Sequence, residues 1–328
     1  MRAAWGRYAI VVFAAVGVAC ENAGEGRVLA VQAVGTVVGT AVFDGNGSGE
    51  VDSGDSPFEG LRVRLVVKGT LDTVAVVTAD AQGAYSIERL PVGTYEILVD
   101  SASAGDTVEV VLQDSTEVTV RPDTTVAFTV AVSFPSVDVT GARALATGTK
   151  VFLEGVALVA LGAFGDTTIH VRDAGAAIRA TRVQFQPVAP GDSVRLLGRR
   201  SSRDGQPTLD NVTVFPLGLG VVQPPERIST LAASSADAGR LDAALVKVVN
   251  ATVNDTTTRQ SDFVVTADDG SGPLEIVFDI DAGLTIPTIT FPDSVTQATV
   301  MDVTGVLVPN GSGVWLLKPR VNADVLVR

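Results

Sequence analysis

Short apolar runs, most of them alternating with polar positions every second residue, fill the chain, and each is closed by Gly, Pro, Asp or Ser. LRVRLVV, DTVAVVTAD, AYSIERL, TYEILVD, TEVTV and TTVAFTV succeed one another between residues 61 and 130. A period of two puts alternate side chains on one face of a strand. No long stretch carries apolar residues at helical spacing. Many short strands broken by turn residues predict an all-β protein of sandwich and barrel type. The abundance of Val and Thr agrees, because branched side chains suit a pleated, half-buried surface.

The runs group into three modules. Residues 31–133 read as a β-sandwich. Residues 137–219 hold KVFLEGVALVAL, TTIHVRD, AAIRATRV, DSVRLLGR and TLDNVTVFPL. Residues 220–240 form a linker broken by Pro224-Pro225, in which STLAASSADAGRL offers one or two helical turns capped by Ser229. Residues 241–328 hold ALVKVVNATVND, SDFVVTADD, LEIVFD, ATVMDVTGVLV and GVWLLKPRVNADVLV. The last two modules repeat one order: a strand, a hairpin, then a second Gly-centred hairpin. Leu153 to Val156, Ile169 to Ile178 and Gly191 to Leu209 carry a pattern that resembles tandem OB-fold domains of bacterial exported proteins. The expected fold is a prealbumin-like or Ig-like sandwich followed by two small OB-like β-barrels.

The first twenty residues, MRAAWGRYAIVVFAAVGVAC, join a positive start to a short apolar run and end on the chain's one Cys. That is the layout of an export signal, too short for a comfortable membrane span. GVAC resembles a bacterial lipobox, which implies cleavage before Cys20 and lipidation of its thiol. Gly17 departs from the usual branched residue. Glu21 follows the Cys, which by the same resemblance favours the outer membrane. Residues 21–30 read as a tether, so the expected location is the cell envelope, outer membrane or cell surface.

Composition narrows the chemistry. One Cys excludes a disulfide framework within the chain. One His, at position 170, leaves little room for histidine-based catalysis, and no nucleophile turn accompanies it. The formal charge is −13, and loss of Arg2 and Arg7 with the signal takes it to −15. Such a charge repels phosphate backbones and argues against nucleic acid as a partner.

Between two strand-like runs lies DGNGSGEVDSGD, residues 44–55. Asp44, Asn46, Ser48, Glu50, Asp52 and Asp55 occupy positions 1, 3, 5, 7, 9 and 12 of a twelve-residue calcium loop, with Gly49 at the turning position 6. Oxygens at these offsets point into one curl, Glu50 through its backbone carbonyl. A divalent ion there relieves repulsion among the acids. The flanks are strands, so this is not an EF-hand pair. GTAVFDGNGSGEVDSGDSPFEGLRVRL (39–65) with TADAQGAYSIERLPVGTYEILV (78–99) resembles the B-type repeat of serine-aspartate repeat adhesins, over about a third of the chain. The resemblance implies a Ca2+ ion that stiffens the module. Ser48 replaces a more usual Asn or Asp, and Asp55 a more usual Glu.

The remaining candidates read as structural. His170 lies in a strand. Arg195, Arg199, Arg200 and Arg203 form a basic cluster, but the aromatic platforms that single-strand binding uses are scarce at 5% of the chain. Phe164, Phe185 and Phe215 read as core, Trp315 as a buried barrel residue, and Asp268, Asp269 and Ser271 as an acidic hairpin tip. These features predict a non-enzymatic surface lipoprotein, a calcium-stabilised structural, adhesion or polymer-binding module with a protein or glycan ligand. The alternative is a nucleic-acid- or glycan-binding accessory of an extracellular nuclease or phosphoesterase system.

Overall fold

The computed structural model describes residues 33–70, 72–184, 186–284 and 295–328. Cys20, the export signal, the tether and Phe185 lie outside the described residues.

The first module contains β1 (Val34–Phe43), β2 (Ser56–Pro57), β3 (Arg62–Val67), β4 (Thr73–Thr78), β5 (Ala84–Pro91), β6 (Gly93–Asp100), β7 (Glu109–Gln113), β8 (Glu117–Val120) and β9 (Thr125–Ser133). One sheet runs β2-β1-β9-β7 with β5 also on β1, and the other runs β4-β3-β6-β8. Alternation decides the inner faces. Val37, Ala41, Phe128, Val130 and Val132 from one sheet meet Val63, Leu65, Tyr95, Ile97 and Val118 from the other in one core. Gly39 makes that closure possible. The buried Tyr85 ring lies across it and donates to the Phe128 carbonyl at 3.1 Å, and a Cβ on Gly39 would sit 2.2 Å from the Tyr85 hydroxyl. Strands β1 and β9 pair in parallel, Gly39 opposite Phe128.

A short helix, α1 (Val139–Ala144), leads into the second module, with the Asp138 side chain accepting from Gly141 N as its cap. Strands β10 (Lys150–Ala157), β11 (Ile169–Arg172), β12 (Ala177–Thr181), β13 (Asp192–Arg203) and β14 (Gln206–Leu219) then close a barrel in the order β10-β11-β12-β14-β13. Val151, Leu153, Ile169, Val171, Ile178, Leu196 and Leu209 fill it.

The linker holds β15 (Glu226–Arg227) and α2 (Thr230–Ser234). Ser229 caps α2 as its position before the apolar turn predicts, accepting from Ala232 N. The third module repeats the barrel with β16 (Leu245–Arg259), β17 (Asp262–Asp268), β18 (Leu274–Phe278), β19 (Val300–Pro309) and β20 (Trp315–Lys318), while β21 (Val325–Val327) extends it beside β19. Its order is β16-β17-β18-β20-β19, closed by β16 on β19. In each barrel the third strand pairs in parallel with the fifth, β12 with β14 and β18 with β20. That is the connectivity of a five-stranded OB barrel. Asn211 and Asn250 both adopt left-handed backbone where the ladder slips, a conformation Asn tolerates better than most residues. The fold is therefore all-β, a sandwich followed by two closed five-stranded barrels.

Candidate functional site

The loop after β1 curls as its spacing predicts. Gly47 and Gly49 take φ of +68° and +75°, a region that favours residues without a Cβ. Asp44 is buried, and its carboxylate accepts from Ser48 N at 3.1 Å and Gly49 N at 2.9 Å. Asn46 accepts from Ser48 N at 2.9 Å and donates to both Asp52 oxygens at 3.2 and 3.0 Å. Ser48 Oγ donates to the Glu50 carbonyl at 3.0 Å. Asp55 Oδ2 accepts from Asp52 N at 3.0 Å, while its Oδ1 is buried and unpartnered. The Asn46 amide, ahead of Gly54 N, holds the Asp52 carboxyl below its usual range. The donors are the hard oxygens calcium takes. The structure turns most of them onto the loop's own amides, and among the described residues no three acidic, His or Cys side chains converge as a metal cluster. The six residues share one curl.

This loop also touches the first barrel. Arg195, in β13, donates to the Asn46 carbonyl at 3.3 Å and pairs with Glu154 at 2.7 Å. Gly47 lies against the Phe152 ring. Phe152 points out of the barrel, between the core residues Val151 and Leu153, yet it is 1% exposed. It belongs to a ladder of rings, Phe58, Phe43, Phe134, Phe152 and Phe215, with successive centroids 6.5, 5.2, 6.5 and 6.1 Å apart. Phe215, expected in a barrel core, is instead the half-buried last ring of this ladder. It follows the inward Val214 on β14 and so points outward, onto a face that the neighbouring module covers.

The two barrels meet over β11 and β12. His170 and Arg179 stand opposite each other in register and point outward, but are only 1% and 5% exposed. The second barrel covers them. Leu158, Val159 and Ala177 of the first barrel join its core. Arg143, from α1, donates to the carbonyls of Gly239 at 2.9 Å and Asp242 at 3.3 Å. Arg320 reaches back to the Leu158 carbonyl at 2.7 Å. Asp242 accepts from Trp315 Nε1 at 2.7 Å, and burial raises its carboxyl pKa against the pull of Trp315, Arg143 and Arg179. Both His170 nitrogens lack a partner. Burial, then the charges of Arg179 and Lys318, push its imidazole down to about 3, so it is neutral. The structural readings of His170 and Trp315 agree with these positions.

The acidic tip at Asp268 and Asp269 is a docking point for the linker. Asp269 accepts from Thr230 Oγ1 at 2.8 Å and Ser271 Oγ at 2.6 Å. The basic cluster divides. Arg195 belongs to the loop contact, Arg200 donates to the Arg143 carbonyl at 3.2 Å, and Arg203 lies 3.9 Å from Asp204. Arg199 instead faces Lys150 across β10 and β13. The two line a cleft of about 300 Å³ between sandwich and first barrel, with Phe134, Pro135, Gly148, Thr149, Asp106 and Thr107. Lys150 went unnoticed in the sequence because its partner lies on another strand. The signal was a cation opening β10 opposite one ending the core of β13.

No family model matches the chain, and no curated protein matches it. Among solved structures, the minor pilin GBS52 of Streptococcus agalactiae is similar at 18% identity, over 31% of this chain and 45% of the pilin, with a TM-score of 0.24. The Bacillus anthracis TIE protein is similar at 11% identity, over 88% of this chain and 50% of that protein, with a TM-score of 0.24. The chain thus spans half or less of these two proteins. A murine DNA-binding protein, solved with double-stranded DNA, is similar at 11% identity, over 54% of this chain and 94% of that one, with a TM-score of 0.29. No function transfers at this level of likeness. The expectation that nucleic acid is an unlikely partner is nonetheless overturned: solved structures similar to the chain include proteins bound to double-stranded DNA. Net charge and the scarcity of aromatic residues had carried it.

Proposed function

We propose that this is an exported, non-enzymatic accessory protein whose paired barrels hold a phosphate-bearing polymer, nucleic acid first, for a partner nuclease or phosphoesterase. The observation that supports it is the OB strand order, found twice in succession. Barrels of this order bind oligomers on the face of strands two and three and on the flanking loops. In the first barrel that face is the seam with the second, so its contribution falls to its other sides. Lipidation at Cys20 would tie the chain to the envelope. Asp44, Asn46, Ser48, Glu50 through its carbonyl, Asp52 and Asp55 would hold one Ca2+, which ties the loop between β1 and β2.

Retention of the chain on immobilised single-stranded DNA tests the polymer reading. Binding at low salt that fades as salt rises is expected, and no retention at low salt removes the reading. Calorimetric titration with calcium, with melting in parallel, tests the clip. One ion per chain and a higher melting temperature are expected, both lost in Asp44→Ala with Asp55→Ala. No heat and no shift at millimolar calcium reduce the loop to an acidic turn.

A further inference from the structure

In an acidic chain, cations ordinarily find acids. Arg240 pairs with Glu226 and Asp237, Arg259 with Glu275, Arg328 with Asp302, Lys318 with Asp279, and Lys68 with Glu117. Lys150 and Arg199 are among the described cations that have none, and they are set apart by facing each other. They stand directly opposite each other on β10 and β13, where like charges repel. Neither has an acidic partner within 4.0 Å among the described residues. The Lys150 ammonium sits 4.2 Å from the centre of the Phe134 ring, and Arg199 donates to the Gly148 carbonyl at 3.2 Å. Burial, then Arg199, lowers the Lys150 pKa. Two repelling cations at the wall of a concave site leave a place for an anion.

The modules fix this arrangement. The connection from the sandwich is short and bonded to β10: Phe152 N donates to Pro135 O at 2.9 Å and Val137 N to Phe152 O at 3.0 Å. Phe134 and Pro135 thus form one wall of the cleft, Gly148, Thr149, Lys150 and Arg199 another. Asp106 and Thr107, just ahead of β7, line the cleft as well. Asp106 makes no ion pair with either cation. A guanidinium offers paired donors to an oxyanion and an ammonium adds a point charge.

We infer that the cleft between the sandwich and the first barrel is an oxyanion site, in which Lys150 and Arg199 grip one phosphate group. The inference takes its ligand chemistry from the polymer reading above and locates the grip at a module junction, away from the usual OB face. The group is either a free phosphate or one phosphate of a strand.

The test uses the full chain with inorganic phosphate as the probe, followed by calorimetry and by amide chemical shifts. Saturable binding at one site is expected, with shifts at Gly148 and Thr149. Lys150→Gln with Arg199→Gln should weaken it at least tenfold, Arg203→Gln should leave it unchanged, and Asp106→Asn should tighten it. For single-stranded DNA, two cations on the backbone predict a slope of log affinity against log salt steeper by roughly 1.4 in the unmodified chain than in the double variant. Phosphate bound with no DNA retained supports the cleft and removes the polymer reading. Phosphate bound as well by the double variant, or phosphate shifts absent from Gly148 and Thr149 in the unmodified chain, overturns the cleft whether or not the variant folds.

Discussion

At the seam between the barrels, Arg143 and Arg320 direct their donors to carbonyls of the opposite module, and apolar residues of both barrels share one core. At the junction between sandwich and first barrel, contact rests on a ladder of rings, while Lys150 and Arg199 face each other without an acid. The first interface is closed, and its polar groups belong to the fold. The second is open on one side: Arg195 there is bonded to Asn46 and Glu154, while Lys150 and Arg199 have no acidic partner. The seam also keeps polar atoms without partners, both His170 nitrogens among them, but these are buried and closed to a ligand. Unsatisfied like charges at a solvent-accessible junction weaken the fold and therefore point to a ligand.

The largest test of this contrast is Trp315→Ala. Trp315 is buried in the second core and anchors Asp242 at the seam. Its loss leaves a cavity and takes one donor from a buried carboxylate, and should cost about 3–5 kcal/mol. Because Leu158, Val159 and Ala177 lie in that core, both barrels should lose stability together. Denaturant unfolding followed by fluorescence from a reporter in each barrel would check it. A first barrel that melts unchanged while the second falls would mean that the seam is only a contact.

Much of this architecture was legible in the chain. The order of strands in each barrel followed the repeated hairpins, and Ser229 marked the start of α2 because a hydroxyl before an apolar turn satisfies an orphan amide. The curl at Asp44 followed the glycine spacing. The covering of outward faces was not legible. Alternation tells which side of β11 bears His170, but not that the second barrel lies over it. The parallel pairing of β1 with β9 joins segments more than 80 residues apart, and no local pattern encodes it. The Lys150–Arg199 pair was hidden for the same reason: neighbours across a barrel are distant in sequence. Reading the arginines as one cluster along β13 grouped side chains that the fold sends to different interfaces.

The next effect in size is a pH dependence set by the seam. His170 titrates near 3 in the fold and near its ordinary 6.5 when unfolded. Between these values the unfolded chain holds the extra proton. Stability due to the neutral ring is therefore complete above pH 6.5 and falls by about 1.4 kcal/mol per unit as pH drops toward 3. His170→Leu removes the titrating group while keeping an apolar body beside Phe164. Its stability curve should be flatter than that of the unmodified chain between pH 6 and pH 4, by about that slope. Parallel curves would show that the imidazole finds water or a partner when charged.

The smallest effect has the opposite sign. At the seam, removing a polar side chain should destabilise. At the junction, Lys150→Met removes one of two repelling cations and leaves a flexible apolar side chain to lie over the Phe134 ring. A gain of about 0.2–1 kcal/mol is expected at low ionic strength, the range for cross-strand pairs. The gain should shrink in 1 M salt, where charges are screened beyond about 3 Å. Thermal melting of both chains at two salt concentrations measures it. Added phosphate should reverse the order, because a bound anion stabilises only the chain that holds it. A variant that melts lower at every salt concentration would mean that the ammonium over the ring matters more to the fold than the repulsion from Arg199.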